Sequence, residues 1–108
     1  MKPLRIVIAD DEAVIRMDLK EILQEAGHEV VGETANGRRA VAIVRDTRPD
    51  LFILDVKMPD MDGIEAARMI DADHLAPVLL LTAFVDAELI RRATDAGVLA
   101  YVVKPVEE

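Results

Sequence analysis

The residues best suited to chemistry in this chain are three aspartates and a lysine, each following a short apolar run: Asp10, Asp11, Asp55 and Lys104. They are far apart in sequence, so only the fold could bring them together. Clustered carboxylates repel one another, and a cation is needed to hold them in place. Such a cluster would suit a magnesium site for phosphate chemistry.

The apolar runs before these residues predict strands of a parallel sheet. They lie at 4–9, 51–54 and 99–103. Short runs of this kind are typical of strands buried on both faces, and helical patterns separate them here. Because the carboxyl ends of parallel strands form the ligand crevice of an open sheet, we expect the aspartates and the lysine to meet at that edge.

The whole chain predicts five strands alternating with four helices. Strands are expected at 4–9, 29–34, 51–54, 78–82 and 99–103, and helices at about 12–26, 37–46, 63–72 and 86–96. Asp10 or Asp11 is expected to cap the first helix, and Asp86 the fourth. The inward face of the first helix is predicted to carry Ile15, Leu19, Ile22, Leu23 and Ala26. This order implies an α/β fold, a doubly wound parallel sheet with right-handed crossovers and helices on both faces.

Size and composition describe one small domain. The chain has 108 residues, near the commonest domain length, and its hydrophobic fraction of 52% argues against disorder. It contains no apolar run of about 18 residues for a membrane span and no cysteine for a disulfide or thiolate site, and no charged-then-apolar pattern typical of a signal peptide is expected at Met1. The net charge of -8 argues against direct nucleic-acid binding by this domain. We expect a cytoplasmic protein.

These residues, in this order, resemble the receiver (CheY-like) domain of two-component response regulators over essentially the whole chain. The match includes the acidic pair after the first strand, residues 55–63 after the third, Thr82 after the fourth, and Lys104-Pro105 after the fifth. The resemblance implies the flavodoxin-like strand order 2-1-3-4-5. It also implies a switch that accepts a phosphoryl group from a sensor histidine kinase onto Asp55. Such a domain catalyses only its own phosphorylation and dephosphorylation, and is otherwise not an enzyme.

The resemblance assigns roles to individual residues. Asp55 is the expected nucleophile and phosphorylation site. Mg²⁺ is the expected cofactor, with the ligands Asp10 (mainly through a water), Asp11, Asp55 and the backbone carbonyl of Lys57. Lys104 and the hydroxyl of Thr82 would each pair with an oxygen of the phosphoryl group.

A conformational switch is expected from two positions. When Asp55 is phosphorylated, Thr82 would move inward and leave space into which Tyr101 rotates. The surface of the fourth helix and fifth strand would change with them. The resemblance also implies a cis Lys104–Pro105 bond, whereas the general preference of X-Pro bonds is trans.

A finer resemblance is to the receivers of antiterminator (ANTAR) response regulators, carried by residues 11–19, 55–59 and 81–84. It implies a C-terminal RNA-binding output domain; a DNA-binding output domain and a stand-alone receiver are alternatives. A five-stranded sheet of this type normally ends in a fifth helix that covers the face it shares with the first. We therefore expect residues 1–108 to be a C-terminally truncated receiver domain, with a homodimer on phosphorylation as a further expectation.

Other functions share parts of this pattern. A haloacid-dehalogenase-like phosphatase would need a second aspartate two residues after Asp55, where Lys57 stands. A flavodoxin-like flavin carrier would need a Ser/Thr/Gly-rich phosphate loop after the first strand, where the acidic residues would repel phosphate. A pseudo-receiver that acts as a non-phosphorylated scaffold would be expected to lack part of the acidic pair, the acceptor or the lysine. All of these are present, and the scaffold is the alternative that we keep.

Overall fold

The computed structural model describes residues 2–59 and 61–104 and confirms the predicted alternation of strands and helices. The strands are β1 (Arg5–Ala9), β2 (Glu29–Thr34), β3 (Leu51–Asp55), β4 (Val78–Thr82) and β5 (Ala100–Val103). The helices are α1 (Ala13–Glu25), α2 (Gly37–Thr47), α3 (Gly63–Ala72) and α4 (Ala87–Asp95). Every predicted boundary lies within one residue of the observed one.

The five strands form one parallel sheet in the predicted order β2-β1-β3-β4-β5. Ala9 of β1 is level with Leu54 of β3, and Thr82 of β4 is level with Val103 of β5. The paired strands β1 and β3 therefore end at nearly the same level of the sheet, as do β4 and β5. This register brings the residues that follow β1, β3, β4 and β5 to a single edge.

The core has two layers because alternate side chains of each strand point to opposite faces of the sheet. The larger layer packs against α2, α3 and α4 and includes Phe52, Leu54 and Leu80. The smaller layer packs against α1 and consists of Ile6, Ile8, Ile53 and Leu81 with partly buried neighbours. Strands β1, β3 and β4 are thus buried on both faces, which makes the edge of the sheet that they form a rigid support.

Two expectations about burial were wrong. In α1, all of which is described, no residue is fully buried, and Ile22 at the edge of the apolar stripe is 61% exposed. Ile15, Leu19 and Leu23 do pack on the sheet, so the inward face is narrower than predicted. Strand β5 is exposed along its whole length rather than buried on both faces.

Helix capping agrees with the sequence prediction for α4 but not for α1. Asp86 caps α4 by accepting a hydrogen bond from the backbone N–H of Leu89 at 2.8 Å. The N-cap of α1 is Glu12, not Asp10 or Asp11. Asp10 instead accepts a hydrogen bond from the N–H of Glu12 itself, at 2.8 Å, and so stabilises the turn that precedes the helix.

Two further features concern the chain as a whole. Within residues 2–59 and 61–104, no helix is long and apolar enough to cross a membrane. The Lys104–Pro105 bond, expected to be cis, lies outside the described residues because Pro105 is not among them.

Gly63 marks the closest approach between α3 and the end of β3. Its N–H donates to the carbonyl of Val56 at 2.7 Å. A Cβ atom at this position would overlap the carbonyl oxygen of Asp55 and the Cα of Val56. Only glycine allows this contact, so the first turn of α3 holds the backbone that carries Asp55.

Replacing Gly63 by alanine should therefore destabilise the fold by about 2–3 kcal/mol, since backbone rather than a side chain must move. Gly32→Ala is the matched control. Its Cβ would meet the Cγ2 of Ile43 at 2.7 Å and the Cγ2 of Val7 at 3.7 Å, which are side-chain methyl groups rather than backbone. Chemical unfolding should show the large loss for Gly63→Ala alone. Equal losses in the two variants would mean that the packing of α3 on β3 is not a special constraint.

Candidate functional site

The candidate site lies where β1, β3, β4 and β5 end. Asp10 and Asp11 follow β1, Asp55 is the last residue of β3, Thr82 is the last residue of β4 and Lys104 follows β5. The site opens into a cavity of about 540 Å³ that continues along the β4–α4 loop to the first turns of α4. Asp10, Asp55 and Thr82 are buried, whereas Asp11 is exposed at the mouth.

The ammonium group of Lys104 lies among three carboxylates. Its Nζ is 2.9 Å from Oε1 of Glu12, 3.0 Å from Oδ2 of Asp10 and 3.3 Å from Oδ1 of Asp55. Burial alone would lower the pKa of Lys104, but the three acidic neighbours outweigh that effect and raise the pKa above its usual value. Lys104 therefore stays protonated and is the cation that offsets the buried negative charge.

Burial is the main cause that raises the pKa of Asp55, the negative charge of Asp10 is the second, and the resulting pKa is about 6. The ammonium of Lys104 acts against this rise but does not cancel it. The carboxyl group of Asp55 is therefore largely ionised at neutral pH while costing more free energy than an exposed aspartate. A carboxylate in that state is more readily stabilised by a bound cation.

Three carboxylates of the site are close enough to hold one metal ion. One ligand oxygen each from Asp10, Asp11 and Asp55 lies within 4.8 Å of the other two. Oδ2 of Asp10 is buried and accepts no hydrogen bond from any residue that the structure describes; Lys104 faces it as an ion pair. Mg²⁺ prefers oxygen ligands, and the buried oxygen of Asp10 has no hydrogen bond that an ion or its bound water would have to replace, so the residues present fit this ion.

Thr82 and Tyr101 lie on one face of neighbouring strands. The hydroxyl of Thr82 donates to the carbonyl of Phe84 at 2.7 Å and accepts from the N–H of the same residue at 3.3 Å. It is thus bonded to its own β4–α4 loop. Tyr101 is paired in register with Leu80, two residues before Thr82, and is 43% exposed. In this state the hydroxyl of Thr82 is hydrogen-bonded within the β4–α4 loop, and the side chain of Tyr101 is partly exposed to solvent.

Two residues near the site need separate comment. Lys57, whose carbonyl is a predicted ligand, lines the cavity and is exposed, and its role stays a prediction. Glu12 has the shortest ion pair with Lys104, yet the sequence analysis gave it no role. The signal was present as a third consecutive acidic residue after β1. It was missed because a glutamate at the start of a helix is ordinarily explained by the helix dipole.

Comparison with known proteins identifies relatives over nearly the whole chain. The model of the family described as the response regulator receiver domain matches residues 6–108. The transcriptional regulatory protein PdtaR of Mycobacterium tuberculosis is 53% identical over 95% of this chain and 50% of its own length. The chain thus spans about half the length of that relative. The chemotaxis protein CheY of Thermotoga maritima is 38% identical over 95% of this chain and 87% of its own.

The fold leads to the same group of proteins. The CheX–CheY–BeF3–Mg complex from Borrelia burgdorferi matches with a TM-score of 0.89 and 27% sequence identity, covering 97% of this chain and 81% of that chain. Sequence and fold thus agree along the same stretch, including every strand end that contributes to the acidic edge. The chain therefore belongs to the response regulator receiver domains, which are signalling modules of two-component systems rather than conventional enzymes.

Proposed function

We propose that this domain is a phosphoaccepting switch in which Asp55 takes a phosphoryl group from a histidine kinase with Mg²⁺. The observation that carries the proposal is the ion pair of Lys104 with Asp55, 3.3 Å, beside the buried Asp10 carboxylate. A nucleophilic carboxylate, a cation for the transferred group and a metal-competent acidic pair are the components that phosphoryl transfer to aspartate needs.

In the proposed reaction, a carboxylate oxygen of Asp55 attacks the phosphorus of a phosphohistidine. The new P–O bond forms as the P–N bond breaks, and the imidazole leaves with the bonding electron pair and takes up a proton from water. Lys104 then pairs with an oxygen of the new acyl phosphate. The hydroxyl of Thr82 leaves the carbonyl of Phe84 and donates to a second oxygen.

Asp10, Asp11, Asp55 and the carbonyl of Lys57 are the proposed metal ligands. When bound, Mg²⁺ offsets the repulsion between an anionic nucleophile and an anionic phosphoryl group. The acidic triad supports this assignment, as does the presence of BeF3 and Mg in the Borrelia burgdorferi complex that shares the fold. The fold of this chain would position the carboxylate of Asp55, the ammonium of Lys104 and the hydroxyl of Thr82 around the transferred phosphoryl group.

We propose that the output of the switch is the surface formed by α4 and β5, and that it controls a further domain. The similarity to the transcriptional regulatory protein PdtaR supports a role in gene regulation. The resemblance to antiterminator receivers favours an RNA-binding output domain. Phosphorylation-dependent dimerisation and a cytoplasmic location are part of the same proposal, and a non-phosphorylated scaffold is the alternative.

Intact-mass measurement tests the acceptor. After incubation with Mg²⁺ and acetyl phosphate, the chain should gain the mass of one phosphoryl group. Asp55→Asn should gain none, and omission of Mg²⁺ should suppress the gain in the unaltered chain. Asp18→Asn is the control, since Asp18 is an exposed aspartate on α1 and should leave the gain unchanged. A folded chain with neither a mass gain nor a response to beryllofluoride would favour the scaffold.

The raised pKa of Asp55, about 6, predicts how stability depends on pH. Between about pH 4 and pH 6 the folded state keeps a proton on this carboxyl that the unfolded chain has lost, so stability falls as pH rises through that window. At pH 7 without Mg²⁺, Asp55→Asn should be more stable than the unaltered chain by about 2 kcal/mol. Near pH 4 the two should unfold alike. An equal gain at both pH values would show that the penalty does not arise from ionisation of Asp55.

Tyrosine fluorescence tests the switch, because Tyr101 is the only tyrosine of the chain, which has no tryptophan. Beryllofluoride with Mg²⁺ should reduce quenching of Tyr101 by acrylamide, since the ring would move from partial exposure into the space that Thr82 vacates. Thr82→Val keeps the shape but lacks the hydroxyl. It should still accept a phosphoryl group from acetyl phosphate yet lose most of the change in quenching. Unchanged coupling in Thr82→Val would exclude the hydroxyl as the link.

A further inference from the structure

We propose that Glu12 is a positioning residue that holds the ammonium of Lys104 in the unphosphorylated domain and competes for it with the phosphoryl group on Asp55. This inference rests on the proposed phosphoacceptor function and adds regulation to the same site. Glu12 would set how strongly the domain retains a phosphoryl group.

The geometry at Lys104 carries the inference. Of its three carboxylate neighbours, Glu12 is the nearest, at 2.9 Å, and it makes a hydrogen bond with Nζ. An ammonium group has three N–H donors. Three carboxylates lie within 3.3 Å of Nζ, and the contact with Glu12 is a hydrogen bond. An oxygen of a phosphoryl group that pairs with Lys104 must therefore compete with these carboxylates for the ammonium.

Glu12 is the partner that is free to leave. The carboxylate of Asp10 is fully buried, and that of Asp55 is held at the end of a central strand. The side chain of Glu12 is 61% exposed, whereas that of Lys104 is 9% exposed. When displaced, Glu12 returns to water at little cost, whereas Asp10, the carboxylate that stays buried beside the modified Asp55, would lose its compensating charge.

Helix capping does not account for the position of Glu12. It occupies the N-cap of α1, yet its side chain caps none of the N–H groups of that described helix. The caps of α2, α3 and α4, by contrast, all accept hydrogen bonds from their own helices. The carboxylate of Glu12 instead accepts a hydrogen bond from Lys104, the residue that follows β5, and the two residues are 92 positions apart.

The competition predicts the direction in which Glu12 changes retention of the phosphoryl group. Each contact between Glu12 and Lys104 stabilises the unphosphorylated domain and is lost when the phosphoryl group arrives. Removing the charge of Glu12 without changing its shape should therefore strengthen retention of a phosphoryl group. A glutamate that served the metal through its outer shell would have the opposite effect, because its loss would weaken Mg²⁺ binding.

Beryllofluoride affinity at saturating Mg²⁺, followed by the fluorescence of Tyr101, measures this effect. Glu12→Gln should bind beryllofluoride about threefold to fivefold more tightly than the unaltered chain, as expected for loss of a partly exposed ion pair. Glu88→Gln is the matched control. Glu88 lines the same cavity but pairs with Arg91 at 2.7 Å, so its loss removes equal charge without releasing Lys104. The affinity of Glu88→Gln should stay within about twofold of the unaltered chain, because solvent and salt screen its charge.

Equal affinities in the two variants, or a weaker beryllofluoride affinity in Glu12→Gln together with weaker Mg²⁺ binding, would overturn the proposal.

A double-mutant cycle tests the contact between Glu12 and Lys104 without any ligand. Thermal unfolding of Glu12→Gln, Lys104→Met and the double variant should give a combined effect that differs from the sum of the single effects. Additive effects would reject the Glu12–Lys104 contact. An unaltered chain that binds no beryllofluoride would instead refute the proposed function, and the competition with it, whatever the cycle shows.

Discussion

The repulsion among buried carboxylates at one edge of the sheet is the constraint on which the site depends. Asp10 and Asp55 are both almost fully buried, and the exposed Asp11 adds to their charge. Among the residues that the structure describes, Lys104 is the cation paired with Asp10 and Asp55, and burial together with the charge of Asp10 still raises the pKa of Asp55. The unmodified site therefore carries an excess of negative charge, and any cation that enters it stabilises the fold and the site together.

The fold can bear this cost because the edge is rigid. The central strands are buried on both faces, and the turn after β1 is fixed by the hydrogen bond from the N–H of Glu12 to Asp10. Arg16 of α1 strengthens that turn by donating to the carbonyl of Asp10 at 2.6 Å. Gly63 holds the other side of the edge by its close contact with the backbone of β3. A site held in this way has little freedom to relax its own repulsion.

The parts of this structure that sequence predicted best are those that follow from backbone and burial alone. The ends of β1, β3 and β4 could be located because apolar runs stop at a polar residue. The errors concern long-range contacts between side chains and packing at the periphery. Neither the choice of Glu12 over Asp10 as N-cap nor the exposure of Ile22 follows from helical spacing. Predicting the pairing of Glu12 with Lys104 would require knowing how the ends of β1 and β5 are placed relative to each other, and a local sequence pattern does not contain that information.

The proposed switch depends on two hydrogen-bond donors of the site, the hydroxyl of Thr82 and the ammonium of Lys104, that already have other partners. The hydroxyl of Thr82 has one proton, and that proton is committed to the carbonyl of Phe84. The donors of Lys104 face three carboxylates. In the proposed switch, a phosphoryl group that recruits both would therefore compete with contacts in the β4–α4 loop and at the start of α1 at the same time. Because the N–H of Lys104 donates to the carbonyl of Thr82 at 2.7 Å, the ends of β4 and β5 are mechanically joined. In the proposed switch, movement of Thr82 toward Asp55 would be transmitted to β5, which carries Tyr101, so a charge placed on one carboxylate would change a surface that the carboxylate does not touch.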